Sequence, residues 1–393
     1  MKPLACASIL LAASAGLALA QNDAGFTREG AFWVKTIHGA VAARSLERLR
    51  VETVGNVEVR GGAGDSASYT LKVRVRARDA REAESLLREL EVKSGTEGDW
   101  AYLRVQAPMR FLAGVELLSL SVPRALRQTR VETRGGNVQA FDLDGNLQTQ
   151  SGGGRIHVDG IRGGSELRTA GGDIEVGAVT GPLRCFSGGG NIRVENAGGE
   201  CWTETAGGEI FIHQAAGPIH AATAGGNIRI ERASSTVSAR TAGGLIQVQQ
   251  AEGPVTAESS GGAIQVNSAK GVRCESAAGA IRLRNVTGAL HASANAGSIM
   301  AELVSGSQLA DSSLNANAGD VTVMIPSNLP VTVRATNESG GTGRIMSDFP
   351  QIRLQAVANS PGSPAVAEGA LNGGGPVLRI NVMGGTIYLR REK

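Results

Sequence analysis

The sequence predicts an all-β chain, a single-stranded parallel β-helix (β-solenoid) of 18-residue coils with a small N-terminal strand-helix insertion acting as a cap. Three observations predict it. Glycine pairs recur at a fixed interval, the same residue types return at the same positions of each interval, and apolar residues inside an interval alternate with period two. Fifty-five glycines with 3% aromatics would suggest disorder if the glycines were scattered, but 41% hydrophobic residues suits a folded chain, and these glycines are periodic.

The second glycine of each pair runs Gly136, Gly154, Gly172, Gly190, Gly208, Gly226, Gly244, Gly262, Gly279 and Gly297, with one interval of 17 among intervals of 18. Two positions later stands a β-branched file, Val138, Ile156, Ile174, Ile192, Ile210, Ile228, Ile246, Ile264, Ile281 and Ile299. Two positions further on come Val158, Val176, Val194, Ile212, Ile230, Val248, Val266 and Leu283, which completes a strand with one inward face. A corner follows, often Gly-Pro as at Gly181-Pro182, Gly217-Pro218 and Gly253-Pro254. A second strand then turns Leu147, Leu183, Cys201, Ile219, Val237 and Val255 inward. It ends in a hydroxyl column, Ser151, Thr169, Ser187, Thr205, Thr223, Thr241, Ser259 and Ser276. Helical repeats are excluded, because β-branched residues dominate and glycine interrupts every half-coil.

Stacked at about 4.8 Å, ten such coils make a rod of about 45 to 50 Å. The corner glycines are expected to serve either positive φ or close chain approach. The hydroxyls are expected to bond along the stack or to corner amides.

The motif recurs outside the regular block, at Gly55-Asn56-Val57, Gly319-Asp320-Val321, Gly343-Arg344-Ile345 and Gly385-Thr386-Ile387, so these read as further coils. Between the first coil and the block, Leu71 to Arg76 alternates as a strand with a basic outer face. Asp79 and Glu82 then form a capping box, and Ala83, Leu86, Leu87 and Leu90 make one helical stripe. This piece is expected to cover the open end of the stack, whose unpaired strand groups would otherwise polymerise. Phe111 to Val122 reads as a strand plus connection, and Asn359 to Gly375 as a loop.

Lys2, an apolar run from Leu4 to Leu19 and the triplet Ala18-Leu19-Ala20 predict a secretory signal peptide over 1–20, cleaved before Gln21. The expected organisation is then an N-terminal region with first coil and cap over 21–130, regular repeats over 131–304, and C-terminal coils and cap over 305–393. No later segment has the apolar length of a transmembrane span. The expected location is periplasmic, outer-membrane-associated or extracellular, and Cys6 lies too early for a lipidated first residue. Loss of Lys2 lowers the net charge from +3 to +2, which argues against a nucleic-acid partner.

The order of these pieces resembles the bacterial putative-adhesin family, a domain of unknown function related to the head region of auto-transporter-type adhesins. The resemblance is carried by the Gly55-Asn56-Val57 coil with its strand-helix insertion and the tandem S/T-x-G-G-x-I-x-V coils. It is carried further by the run Gly319 to Pro326 and by Leu371 to Pro376 before Gly385-Thr386-Ile387. It spans roughly 45–393, and it implies a β-solenoid with an adhesin-like envelope role and no transferable catalytic residues.

No catalytic, cofactor or metal site is expected. A carbohydrate-active enzyme of lyase or hydrolase type is the alternative, and it needs carboxylates converging on one face. Asp142, Asp144 and Asp159 are the best local set, but they read as turn and solvated residues without a clear basic partner. Only Asp173 and Asp320 follow the glycines, so the calcium-binding nonapeptide pattern is missing. His157, His213, His220 and His291 are expected in different columns, which supports no metal cluster. Cys185, Cys201 and Cys274 are expected to be buried free thiols, because Cys185 and Cys201 sit two residues out of register, about 8 Å apart.

One surface is singled out. Trp202 and Phe186 are expected to project outward on the second strands of neighbouring coils, with Arg184 and His220 flanking Trp202 in its own column. Exposed rings beside basic groups suit a cell-surface glycan or an envelope protein partner.

Overall fold

The computed structural model describes residues 25–41, 46–108, 114–306, 308–339, 344–356 and 364–392. The expected signal peptide and its cleavage site lie outside these residues. The described strands form one 35-stranded sheet accompanied by one α-helix, and its body is a parallel β-solenoid with 18-residue coils. In a representative coil, Ile174–Val179 and Leu183–Ser187 bury alternate residues, so Ile174, Val176, Leu183, Cys185 and Ser187 point inward.

Successive coils pair in parallel and in register. Ile156, Ile174, Ile192, Ile210, Ile228, Ile246, Ile264, Ile281 and Ile299 form one vertical file, each opposite the next. Every member is essentially inaccessible to solvent, so the core is a column of stacked branched side chains rather than a layer between sheets. The 17-residue interval is absorbed where Ala269–Ser276 meets Ile281–Ala294, at a register shift between Lys270 and Val272 beside Gly271, whose φ is +94°.

The hydroxyl column does both jobs expected of it. Thr223 Oγ1 donates to the Gly208 carbonyl of the preceding coil at 3.0 Å and accepts from the Gly226 amide of its own corner at 3.1 Å. Ser151, Thr169, Ser187, Thr205 and Thr241 donate in the same way. A second ladder follows the glycine pair. There Asn137, Asp173, Asn191 and Asn227 each accept, through Oδ1, the backbone amide of the equivalent residue one coil on, at 2.8–2.9 Å.

Both reasons offered for the corner glycines are found, positive φ at Gly271 and close approach at the corner that carries the glycine pair. A Cβ on Gly190 would lie 2.2 Å from the Gly172 carbonyl oxygen, while φ at this position is not in the left-handed region.

Both ends depart from sequential winding. The coil made by Trp100–Gln106 and Val115–Pro123 stacks outside the earlier coil of Arg48–Thr53 and Asn56–Gly62. That earlier coil pairs on its other side with Gln128–Thr133 and Val138–Phe141. Antiparallel strands finish the end: Glu91–Glu97 lies on Trp100–Gln106, while Ser68–Val75 lies between Val115–Pro123 and Phe32–Ala40. The helix Ala80–Leu87 follows the expected cap. Asp79 accepts from the Glu82 amide at 2.9 Å, Ala83 is buried, and Glu82 closes the box on the Arg78 amide at 2.7 Å.

The other end repeats the device in reverse. The last coil in sequence, Val377–Val382 and Ile387–Arg391, is inserted between the coil of Ser312–Ala316 and Val321–Ile325 and that of Val331–Asn337 and Ile345–Ser347.

One expectation here is corrected. Asn359 to Gly375 is not a loop throughout, because Ala365–Leu371 is a strand pairing antiparallel with Val331–Asn337 and Arg353–Ala356. Its inward residues are Ala365, Ala367 and Leu371, and two alanines hide the alternation that larger side chains would show.

Candidate functional site

The expected binding residues stand on three successive second strands, Leu183–Ser187, Cys201–Thr205 and Ile219–Thr223. Alternation sends Leu183, Cys185, Cys201, Thr203 and Ile219 into the core and leaves Arg184, Phe186, Trp202, Glu204 and His220 outside. Parallel register then stacks Arg184, Trp202 and His220 in one file.

The Trp202 and His220 rings stack with centroids 4.8 Å apart and an interplanar angle of 30°, and Trp202 keeps 38% exposure. His220 Nε2 lies 3.8 Å from a Glu200 carboxylate oxygen. Phe186 stands in the neighbouring file between Arg168 and Glu204. The Arg168 guanidinium covers one face of its ring at 4.4 Å from the centroid and is itself held by Glu166 at 2.7 Å.

That neighbouring file walls a groove of about 1070 Å³. Arg168, Phe186, Glu204, Ala222, Arg240 and Glu258 form its wall, and a run of small residues including Ala206, Ala224 and Ala242 lines it beside the hydroxyl column. Sequence reading named Phe186 alone among these. The signal was present, since each wall residue immediately precedes a hydroxyl of the repeat, but the outward positions vary from coil to coil and do not announce themselves as a set.

The carboxylates weighed for catalysis are engaged elsewhere, and with basic partners that the sequence did not reveal. Asp142 accepts from Arg124 at 2.8 Å and Asp144 lies 3.3 Å from Arg162. Asp159 accepts from the Gly160 and Ala178 amides. Asp142 sits in a turn with φ of 58°.

Asp173 and Asp320 each bind a backbone amide of the next coil, that of Asn191 and that of Thr386. The histidines also need a correction. His220 and His291 share one file, through Ser238, Thr256 and Arg273, so they stand about 19 Å apart over four coil steps. Among the described residues no group of three or more His, Cys, Asp or Glu could hold a metal ion.

Cys185, Cys201 and Cys274 are free and buried, as expected. Burial pushes all three thiols up, Cys201 to about 12.

Residues 213–349 match the family model Toastrack DUF4097, a domain of unknown function, over a narrower span than the motif order suggested. No protein among the curated ones matches. Solved structures give three similarities. A putative cell adhesion protein from Clostridium sporogenes is 8% identical, with 91% of this chain and 100% of that one covered and a TM-score of 0.21. A putative adhesin from Bacteroides fragilis is 13% identical, with 63% and 96% covered and a TM-score of 0.29. A putative lipid binding protein from Parabacteroides distasonis is 11% identical, with 91% and 97% covered and a TM-score of 0.20. At such scores the architecture rests on the ladder register described above.

Proposed function

We propose that this chain is a non-catalytic, exported cell-envelope protein of adhesin-like character, whose rigid solenoid presents Trp202, Phe186, Arg184 and His220 to a glycan or protein partner. The observation that carries this reading is the file Arg184, Trp202 and His220, held in register by the ladder, with the two rings stacked and the tryptophan open to solvent. In-register strands fix the backbone that carries these side chains before any partner arrives, so little backbone ordering entropy is lost on binding. Export and an envelope location rest on the N-terminal sequence. No helix among the described residues is long and apolar enough to cross a membrane. The absence of catalysis is supported by the fate of Asp142, Asp144 and Asp159, whose oxygens are taken by Arg124, Arg162 and backbone amides.

The test is binding of residues 21–393 to a glycan array and to envelope extracts, with and without Trp202→Ala. Trp202 is exposed and outward, so its loss leaves the core intact, and binding is expected to fall at least about tenfold, the scale of an aromatic hot spot. Unchanged binding by the variant overturns the assignment of this surface.

A further inference from the structure

We propose that the groove beside this patch seats an uncharged linear polysaccharide lying parallel to the solenoid axis. This rests on the binding-protein reading and adds the ligand class and a second set of contact residues.

The shape comes first. Residues lining the groove are drawn from eight successive coils, from Arg168 and Thr169 to Asn295, so it extends about 34 Å along the axis at one coil per 4.8 Å. Its floor residues Ala206, Ala224, Ala242, Ser260 and Ala277 are all exposed and small. At its far end the small run gives way to Asn295, the last lining residue of this file, to which Asn317 donates at 2.9 Å. A long trough of even floor and limited length fits a chain of like units.

The chemistry then separates a sugar chain from a peptide. An added peptide strand would need free backbone groups. Here most of them are spent, because the amides of Gly188, Ala206, Ser260, Ala277 and Asn295 donate to the carbonyls of the preceding coil, and the strands along the wall are paired on both sides. The even floor also offers no deep pocket for an anchoring side chain.

What the wall does offer is one ring, two guanidiniums and three carboxylates: Phe186, Arg168 and Arg240, and Glu204, Glu258 and Glu275. On the side away from Arg168 the Phe186 ring can take the apolar face of a pyranose, and carboxylates and guanidiniums take its hydroxyls. The charge balance speaks against a polyanion. Arg240 is already paired with Glu258 at 3.0 Å and Arg168 with Glu166, while Glu204 has no ion-pair partner among the described residues and stays available as an acceptor.

The experiment titrates the full chain from 21 to 393 with neutral linear β-glucan and chitin oligosaccharides, from disaccharide to octasaccharide, with sulfated dextran and a basic peptide as competitors. Affinity is expected to climb with oligosaccharide length. Ala224→Arg, which fills the middle of the exposed floor, should flatten that climb while leaving disaccharide binding in place. Glu204→Gln, which keeps the shape, should weaken the long oligosaccharides about tenfold, the value of one charge-assisted hydrogen bond.

Affinity independent of length, indifference to both variants, or preference for sulfated dextran or the peptide overturns the proposal. If Trp202→Ala abolishes partner binding while the two groove variants change nothing, the binding-protein reading survives and the groove assignment falls.

Discussion

At the scale of the residue, position within the repeat decides what a side chain does. Thr223 and Glu204 have similar access to water in an unfolded chain, yet one is buried with two partners and the other faces the groove. Cys201 shows the same control through its thiol. It stands between Leu183 and Ile219 in the inward file, and burial raises it from an ordinary 9.0 to about 12. The folded state therefore disfavours the thiolate, and the sign of the linkage follows. The contribution is complete below the unfolded value and lost as pH rises through the folded one, a window from about 9 to about 12. Cys201→Val, which suits an apolar file, is expected to lose less stability than the parent over that window in urea titrations repeated at rising pH. Parallel losses in the two proteins would show that this thiol is not held in its neutral form.

At the scale of the element, the coil is set by two corners and two short strands, and the corners are the less tolerant part. Gly189 and Gly190 are sequence neighbours with opposite surroundings. A Cβ on Gly189 meets nothing within 4 Å, whereas one on Gly190 meets backbone at 2.2 Å. Gly189→Ala is expected to leave stability within about 0.5 kcal/mol of the parent. Gly190→Ala should cost about 1–3 kcal/mol, because backbone of the preceding coil must move to admit it. Thermal or urea unfolding of the two variants checks this, and equal effects would mean that coil contact at the corner is looser than described.

Elements were legible where large residues mark the alternation. The Ile and Val files, the hydroxyl column and the Asp79 cap could all be read from spacing. The strand Ala365–Leu371 could not, because alanine fills its inward positions and Pro and Gly crowd its flanks. The strand Phe32–Ala40 likewise went unassigned, since its partner Ser68–Val75 lies far along the chain and antiparallel.

At the scale of the molecule, the chain winds in order through the middle and out of order at both ends. Each terminal excursion places a later or earlier coil outside its sequence neighbour, and antiparallel strands follow where parallel coils would otherwise continue. The period told of further coils at Val57, Ile345 and Ile387 but not of their spatial order, because a repeat states what each coil looks like and not which coil lies next to it.

The site has the same limit. Arg184, Trp202, His220 and Phe186 could be placed outward and adjacent by counting in eighteens, whereas the groove wall depends on outward side chains that change from coil to coil. His220 and His291 share a file only because the single short coil between them is absorbed at Gly271.

The ladder register underlies core, patch and groove alike, and cross-linking reads it directly. Ser238 and Thr256 face each other on adjacent coils, so their Cα atoms stand about 4.8 Å apart, within disulfide reach. Ser238 and Glu258 are two residues out of register and about 8 Å apart, beyond it. With Ser238→Cys and Thr256→Cys combined, mild oxidation is expected to give an intramolecular disulfide, and with Ser238→Cys and Glu258→Cys it is not. The native thiols are buried and do not compete. Efficient bridging of the second pair in place of the first would contradict the stack on which the fold and the proposed surface depend.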